Sequence, residues 1–470
     1  MNTQKEKILF EGTPLNKVFL KLALPAVLGQ IVIVIYNIAD TFFIGLTGND
    51  AKLTAITVCM PAFMFLSAIS NLFGIGGCST ISRALGKNNR KRASQISSFA
   101  IWSSIFTTIL YIVFLIFFMD NFINWLGGKN SLVHIFAKNY LYITVILGGI
   151  FTVISNVLSH LVRAEGNGFK SGFGVILGGI MNIILDPLFM FVILKPGNEI
   201  LGAAIATMLS NLISMIFFII VIYKNRFNSV LSFSIKNFSI KNKIATDVLS
   251  VGLPACTMTI FENISYAVLD NLLCSYGLLI QTGIGVAKKI NMLAHSIVRG
   301  MTQGMMPLIS YNYSCKNISR MKQSVNLTLK ISVICSFVCM IISLIFAEPL
   351  VEIFIQSGSE AIIFGKNFLR ILCLGGPFSA FAYGCISFFQ AVGMGKKSFV
   401  LAIMRKGIID IPMMFILNHF LSFYGTIYAT PLADGLCCIV SLILITNFMN
   451  EPEKETQKVF NICNYITKNI

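Results

Sequence analysis

Long apolar segments separated by short polar stretches constrain the fold of this 470-residue chain more than any other feature of its sequence. Runs such as Ile105–Met119 and Met215–Ile222 lie within segments that exceed the roughly 20 residues needed to cross a bilayer. A soluble fold could not bury 40 phenylalanines and such runs without leaving large apolar patches on its surface. Charged residues make up 12% of the chain, about half of the usual 25% in soluble proteins. The sequence therefore predicts a polytopic membrane protein.

Hydropathy and the polar loops between apolar segments predict twelve helical spans and an all-α fold. Because each span ends on the side opposite to its start, twelve spans return the chain to the side from which it entered. The predicted spans lie near residues 17–45, 54–84, 93–119, 132–160, 170–194, 201–223, 246–274, 281–311, 322–346, 361–391, 398–420 and 424–448.

The net charge of +17 is spread over short clusters of Lys and Arg between the apolar segments. This pattern is typical of the cytoplasmic loops of membrane proteins and argues against a nucleic-acid partner. The clusters on one side of the bilayer include residues 83–92, 224–243 and 396–397, whereas the opposite loops contain Lys52, Lys129, Lys138, Lys195 and Lys366. The asymmetry predicts that both termini are cytoplasmic.

Short motifs recur in the two halves of the chain at nearly the same spacing. Leu24-Pro25-Ala26 opens span one and Leu253-Pro254-Ala255 opens span seven; Asp186-Pro187 of span five matches Asp410-Ile411-Pro412 of span eleven, and Gly202…Thr207 of span six matches Gly425…Thr430 of span twelve. Because six is an even number of spans, the halves are parallel repeats, a layout of transporters with a site between or within the halves. We predict an N-terminal six-helix lobe (1–223), a cytoplasmic linker (224–245), a C-terminal six-helix lobe (246–450) and a cytoplasmic tail (451–470).

Two acids of the first half are predicted to lie at a similar depth in the membrane. Asp40 comes 19 residues after Lys21 and Asp186 comes 16 residues after Lys170, which places them roughly 28 Å and 24 Å up their helices. Thr207 enters from the opposite side, roughly 8 Å down its span. In a core of about 30 Å, all three positions fall in the outer half.

The neighbours of these acids suggest a cation site. Asn182 and Asp186 are four residues apart, as are Tyr36 and Asp40, so each pair shares a helix face, and Asn37 lies one step round. Two carboxylates, amides and a hydroxyl form a hard-oxygen set suited to Na⁺. Alternatively, two nearby carboxylates hold one proton between them, or the acids serve as hydrogen-bonding glue between helices.

The second half offers fewer ionisable candidates. Glu262 lies roughly 22 Å up span seven, either as a functional acid or as the partner of Lys288 or Lys289. His295 and Met292 of span eight are candidates for substrate contact, although helix packing is the default reading for both. Pro25 is a candidate hinge, because a proline within a span kinks the helix.

In this order and on twelve spans, the motifs resemble the multidrug and toxic compound extrusion (MATE) family. The resemblance rests on Tyr36-Asn37-Ile38-Ala39-Asp40 in span one, Ile81-Ser82-Arg83-Ala84-Leu85-Gly86 at the end of span two, Arg163-Ala164-Glu165-Gly166-Asn167 after span four, Asn182…Asp186-Pro187 in span five, Gly304…Pro307 in span eight and Pro431-Leu432-Ala433-Asp434 in span twelve.

The resemblance implies a multi-pass transporter of the bacterial inner membrane, involved in antibiotic resistance. It implies export of cationic or amphipathic drugs by alternating access in exchange for Na⁺ or H⁺, with no cofactor and as a monomer. The family's cation site carries over onto Asp40, Asn182, Asp186 and Thr207, and Glu262 matches the span-seven acid of some branches. The family's span-ten acid has no counterpart, since residues 375–393 contain no carboxylate.

Two other functional classes remain as alternatives. A lipid-linked precursor flippase of the same superfamily needs a strongly cationic cavity for pyrophosphate, and Arg299 and Arg405 are expected near cytoplasmic helix ends instead. An intramembrane enzyme is disfavoured because the sequence has no His-Glu-x-x-His helix and no Gly-x-Ser-x-Gly turn. We therefore expect no enzymatic activity.

Overall fold

The computed structural model describes residues 7–126, 130–355 and 360–468, and every element in these ranges is a helix. The predicted basic position Lys129 lies outside the described residues. The helices of the first half are α1 (Leu15–Gly45), α2 (Asp50–Gly86), α3 (Arg90–Trp125), α4 (Ser131–Leu141, Tyr142–Leu147 and Gly149–Ala164), α5 (Gly168–Pro187, continued by Leu188–Ile193) and α6 (Glu199–Lys224).

The second half repeats this arrangement after a linker with one 3₁₀ turn, Ile235–Asn237. Its helices are α7 (Ile244–Cys274), α8 (Leu278–Ser314), α9 (Ile318–Ile345) and α10 (Ala361–Leu374 and Gly376–Val392), with the short helix Ala347–Glu352 before α10. α11 comprises Gly395–Ile403, a π-helical stretch Met404–Asp410 and the start of the helical stretch Ile411–Lys468. That stretch is broken at Ser422 (φ 55°, ψ −147°), and its remainder is α12.

The described residues form twelve helical spans, as the hydropathy predicts. Eight helical stretches are long and apolar enough to cross a membrane, and two further spans, α4 and α10, are pairs of segments bent by 50° and 45°. One of the eight stretches, Gly395–Asn450, contains both α11 and α12. The remaining span is α8, which has 37 residues and is more polar because it carries Lys288, Lys289 and Arg299. The fold is thus an all-α bundle of two six-helix halves, which we call the N-lobe (α1–α6) and the C-lobe (α7–α12).

The two lobes pack closely where α2 meets α7 and where α1 meets α8. A Cβ atom built on Gly252 of α7 would lie 1.9 Å from the carbonyl oxygen of Leu72 of α2. A Cβ atom on Gly304 of α8 would lie 2.6 Å from the Cα atom of Ala23 of α1. Glycines permit this approach because helices in a membrane associate through close backbone packing rather than through a hydrophobic driving force.

These contacts lie at the end of the bundle that carries the basic loops, which we call the basic end. There the Ser79 hydroxyl of α2 donates a hydrogen bond of 2.7 Å to the carbonyl of Gln390 of α10. Deeper in the bundle, the Asn71 amide of α2 donates to the Thr259 hydroxyl of α7 at 2.8 Å. The lobes are therefore closed against each other at the basic end.

The segment Ile8–Thr13 before α1 seals the same end. The Phe10 side chain is fully buried and packs against Tyr311 of α8, with ring centroids 4.8 Å apart. The Arg320 guanidinium of α9 donates to the carbonyls of Phe10 at 2.6 Å and Thr13 at 2.5 Å. Since this segment continues into α1, these bonds tie the N-lobe to the C-lobe.

We expect Gly252→Ala to destabilise the protein, because the added methyl group would overlap the Leu72 carbonyl. A thermal melt in detergent should show a fall in stability of about 1–3 kcal/mol. The matched control is Gly285→Ala in α8, where a Cβ atom meets nothing within 4 Å; its stability should be unchanged or higher, since Ala favours a helix. Equal melts for the two variants would contradict the tight lobe contact.

Candidate cation site and the charged network of the second lobe

Asp40 and Asp186 come together where α1 packs against α5. A Cβ atom on Gly179 of α5 would lie 2.4 Å from the Val32 side chain and 3.3 Å from the Tyr36 ring, so this glycine lets the two helices approach. Asp186 lies two helical turns after Gly179, and its carboxyl group lies close enough to that of Asp40 for the two charges to interact. The Asp186 side chain is fully buried. The structure thus brings the two predicted acids into one pocket.

Asn182 and Thr207 complete the pocket from α5 and α6. Asn182 is one helical turn before Asp186 and is buried, and its amide donates a hydrogen bond of 3.4 Å to the Thr207 hydroxyl. Thr207 is 4% exposed. The four residues that the resemblance assigns to a cation site therefore lie side by side.

Four acceptor oxygens of this pocket are buried and receive no hydrogen bond from the described residues. They are Oδ1 of Asp40, both carboxylate oxygens of Asp186 and Oδ1 of Asn182. A buried acceptor without a donor costs about 1–3 kcal/mol, and two carboxylates in contact repel each other unless a positive charge lies between them. The oxygen set fits a proton or a hard monovalent cation such as Na⁺.

The ligands of the pocket suit a transition metal poorly. In the described ranges no three His, Cys, Asp or Glu side chains come together in a group that could hold a metal ion. The acceptors near Asp40 are two acids and neutral oxygens, without the imidazole or thiolate ligands that zinc or copper prefers. The chemistry of the donor set therefore favours an exchangeable ion over a tightly held one.

Aromatic side chains border the pocket. Tyr36 lies near both acids, and the Asn37 amide next to it donates to the carbonyl of Ile33 at 2.7 Å. Tyr140, which the sequence analysis missed, is 7% exposed and close to both carboxylates. It lies in the first segment of α4, Ser131–Leu141, and its phenol within an apolar segment was the available signal.

Glu262 of the C-lobe is paired with Arg299 of α8. The guanidinium Nη2 lies 2.8 Å and 3.0 Å from the two carboxylate oxygens. Glu262 therefore does not pair with Lys288 or Lys289 as considered from the sequence, and Lys288 pairs with Asp270 instead. The expectation that Arg299 lies near a helix end is also wrong, because α8 continues to Ser314, roughly 22 Å beyond Arg299.

Two further ion pairs lie deeper in the C-lobe and were not predicted. Arg405 contacts Asp434 at 2.8 Å, with both side chains no more than 3% exposed. Lys406 contacts Asp410 at 2.8 Å, with exposures of 4% and 0%. The side chains of Arg405, Lys406 and Asp410 are buried in the π-helical stretch Met404–Asp410. The expectation that Arg405 lies near a cytoplasmic helix end is also wrong, because it lies ten residues, roughly 15 Å, after the start of α11 at Gly395.

The remaining candidates lie near these elements. The His295 ring faces the Ser379 hydroxyl of α10 at 3.3 Å, and Ser379 also accepts from Arg405 at 2.5 Å. Met292 is partly buried one turn before His295 on α8. Pro25 lies within α1, where a Cβ atom on Gly172 of α5 would come 2.3 Å from the Pro25 carbonyl oxygen. These positions place His295 beside the charged network and Pro25 at the α1–α5 contact.

Comparison with known proteins agrees with this architecture. The family model MatE matches residues 25–188 and 254–416, one segment in each lobe and more than half of the chain in total. The chain belongs to the MATE family of transporters. A MATE protein of this kind is a multi-pass protein of the bacterial cell membrane, and the twofold match reflects the repeat seen in the sequence.

Similar proteins cover nearly the whole of this MATE chain. It is 28% identical over 441 residues to a multidrug export protein, MepA, of Staphylococcus haemolyticus, covering 94% of this chain and 95% of the relative. It is 28% identical over 437 residues to MepA of Staphylococcus aureus strain MRSA252, covering 93% and 94%. A solved outward-facing multidrug resistance MATE transporter superposes with a TM-score of 0.88 at 24% identity, covering 96% of this chain and 99% of that chain. The last likeness shows the fold.

We expect Lys406→Met to destabilise this MATE protein strongly, because it would leave the buried Asp410 carboxylate without its cation. Loss of one partner of a buried ion pair costs about 3–5 kcal/mol. Thermal melts should be compared with Lys366→Met, which removes the ammonium from an exposed pair with Glu348 (3.0 Å apart; 24% and 51% exposed). The control should lose less than about 1 kcal/mol, and a loss of the same size in both variants would contradict the buried pair.

Proposed function

We propose that this MATE transporter is a secondary antiporter that exports cationic or amphipathic drugs in exchange for Na⁺ or H⁺ by alternating access. The observation that carries the proposal is the set of four buried acceptor oxygens around Asp40 and Asp186 that have no donor among the described residues. These unpaired acceptors and like charges raise the free energy of the protein while no ion is bound. One small bound cation or a proton lowers that free energy. The export of drugs is inferred from the MepA relatives and the family.

Helix α1 is the element through which ion binding acts on the lobes. It carries Asp40 in the pocket, Pro25 one third of the way along, and Ala23 in the contact with Gly304 of the C-lobe. When the pocket loses its cation or proton, repulsion between the carboxylates of α1 and α5 favours their separation. A bend at Pro25, whose ring removes one helical hydrogen bond, then changes how α1 packs against α8.

The orientation and the domain boundaries belong to the same proposal. We assign the basic end and both termini to the cytoplasm from the distribution of Lys and Arg. The closed lobe contact then faces the cytoplasm and the transporter opens outward. We also assign two lobes, a linker and a tail, at residues 1–223, 246–450, 224–245 and 451–470 respectively. We propose that the protein is a monomer.

Substrate is assigned to the space between the lobes, next to Glu262. The side chains of the Glu262–Arg299 pair are 14% and 32% exposed, whereas those of the Arg405–Asp434 pair are 2–3% exposed. A cationic drug that reaches Glu262 competes with Arg299 for its carboxylate, and Met292 and His295 lie on the same face of α8. The flippase alternative is weaker, because Arg299, Arg405 and Lys406 are each paired with an acid.

The proposal is tested with purified protein in liposomes. Ethidium efflux is measured under a Na⁺ gradient alone, a proton gradient alone, both and neither. We expect one of the single gradients to drive efflux. Equal rates in all four conditions would exclude secondary antiport.

Asp40→Asn and Asp186→Asn are each expected to reduce ion-driven efflux to below about a tenth of the wild-type rate. Each change removes one of the two negative charges that hold the cation or proton. Asp120→Asn is the control, because Asp120 is 59% exposed and outside the pocket. Thr207→Ala should be milder, since water can replace one neutral ligand. Near-normal efflux in either pocket variant, at equal protein levels, would refute the site.

Glu262→Gln is expected to alter substrate range or rate while ion-driven efflux remains measurable. Glu262 is neutralised by Arg299 and therefore does not bind the coupling ion in this arrangement. The assay compares ethidium with a neutral amphipathic substrate under the same gradient. A complete loss of ion dependence, with Asp40 and Asp186 intact, would place the coupling site in the C-lobe.

A further inference from the structure

The C-lobe contains a repeat-related counterpart of the N-lobe cation pocket. Asp410 of α11 corresponds to Asp186 of α5, since the two acids lie two residues and one residue before a proline in matching helices. Thr430 of α12 corresponds to Thr207 of α6, because each follows the helix glycine by five residues. Four residues before the acid, the N-lobe has Asn182 and the C-lobe has Lys406.

The wall contributed by α1 in the N-lobe is contributed by α7 in the C-lobe. Ser265 comes eleven residues after Pro254, as Tyr36 comes eleven residues after Pro25. The position that corresponds to Asp40, fifteen residues after the proline, is occupied by Leu269. The C-lobe counterpart therefore has one acid where the N-lobe pocket has two.

The two pockets are equally buried but differ in how their acids are satisfied. Asp186 and Asp410 are both 0% exposed. Neither oxygen of Asp186 has a hydrogen-bond donor among the described residues, whereas Asp410 Oδ2 accepts from the Lys406 ammonium at 2.8 Å and from the Ser265 hydroxyl at 2.6 Å. Asp410 Oδ1 accepts from the Thr430 hydroxyl at 3.1 Å.

We propose that this C-lobe pocket, formed by Ser265, Lys406, Asp410 and Thr430, is a latent monovalent-cation site in which the Lys406 ammonium occupies the place of the ion. This proposal rests on the function proposed for the N-lobe pocket, because it assumes that both pockets suit the same kind of ion. A covalently attached cation has a very high effective concentration and does not exchange with solution. The C-lobe therefore binds no coupling ion, and removal of the Lys406 charge opens a site for one.

Charge balance supports this assignment. An ionised aspartate in the membrane interior requires a positive partner, and Lys406 is the cation in contact with Asp410. Arg405, the neighbouring cation, is held by Asp434 at 2.8 Å and is not available to replace it. Without Lys406, the Asp410 carboxylate would retain two hydroxyl donors and no charge partner, which is the chemistry of a monovalent-cation or proton site.

The test is Lys406→Asn in an Asp40→Asn background, where the N-lobe pocket is disabled. Lys406→Asn gives the C-lobe the same amide–acid pair as Asn182 and Asp186. Binding of ²²Na⁺ to purified full-length protein should be at least about tenfold stronger than in Asp40→Asn alone. A third change, Asp410→Asn, should abolish that gain, and Asp120→Asn in its place should leave it intact.

Proton binding is measured in the same variants, because the opened site can take a proton instead of Na⁺. Proton uptake from weakly buffered solution should increase in the Lys406→Asn variant and return to its starting value with Asp410→Asn. A folded Lys406→Asn variant that gains neither Na⁺ binding nor proton uptake would overturn the proposal.

Wild-type protein provides a measurement that does not depend on the folding of a Lys406 variant. The proposal expects one saturable ion site, of which Asp40→Asn removes all binding; a second site that is lost only with Asp410→Asn would overturn it. If Asp40→Asn instead retains coupled efflux, the N-lobe function fails, whereas the gain in Lys406→Asn tests the latent site independently.

Discussion

An ionised side chain inside a bilayer is stable only beside an opposite charge, and this requirement governs how the two lobes are built. In the C-lobe each of Glu262, Asp410 and Asp434 is paired with a cation, from a neighbouring helix for Glu262 and Asp434 and from the same helix for Asp410, so these three pairs are neutral without any ligand. In the N-lobe Asp40 and Asp186 lie beside each other, and no basic residue of the described ranges forms an ion pair with either. The same fold thus contains one lobe whose buried charges are neutralised within the protein and one whose buried charges require a cation or proton from solution.

Close helix packing allows this imbalance to affect the rest of the molecule. Gly179 lets α5 approach the side chains of α1 beside the pocket, and Gly252 and Gly304 bring the backbones of the two lobes together at the lobe contact. Rigid, closely packed helices rearrange between discrete arrangements rather than deforming continuously. A change of one charge beside Asp40 can therefore alter helix packing at the basic end, although the two locations lie at opposite ends of α1.

The sequence predicted the architecture because hydropathy and repetition act locally along the chain. The twelve spans and the clustering of Asp40, Asn182, Asp186 and Thr207 follow from helix rise and from four-residue spacing. The partner of Glu262 did not follow, because Arg299 is 37 positions away on another helix. The ion pairs of Arg405 and Lys406 were missed because a π-helical stretch changes which side chains face inward. Tyr140 was missed because its contact with the two acids is made between helices that are far apart in the sequence.

The contact between the start of the chain and α9 has a consequence for biosynthesis. Phe10 is made early, but its hydrogen-bond donor Arg320 lies 310 residues later. At about 5–20 residues per second, the ribosome needs roughly 15–60 s to reach that donor. During this interval the C-lobe residues that pack against Phe10 have not yet been synthesised. The surface of the N-lobe that will contact the C-lobe is therefore still exposed. Closure of the basic end is therefore a late step of assembly, which requires the second lobe to be inserted first.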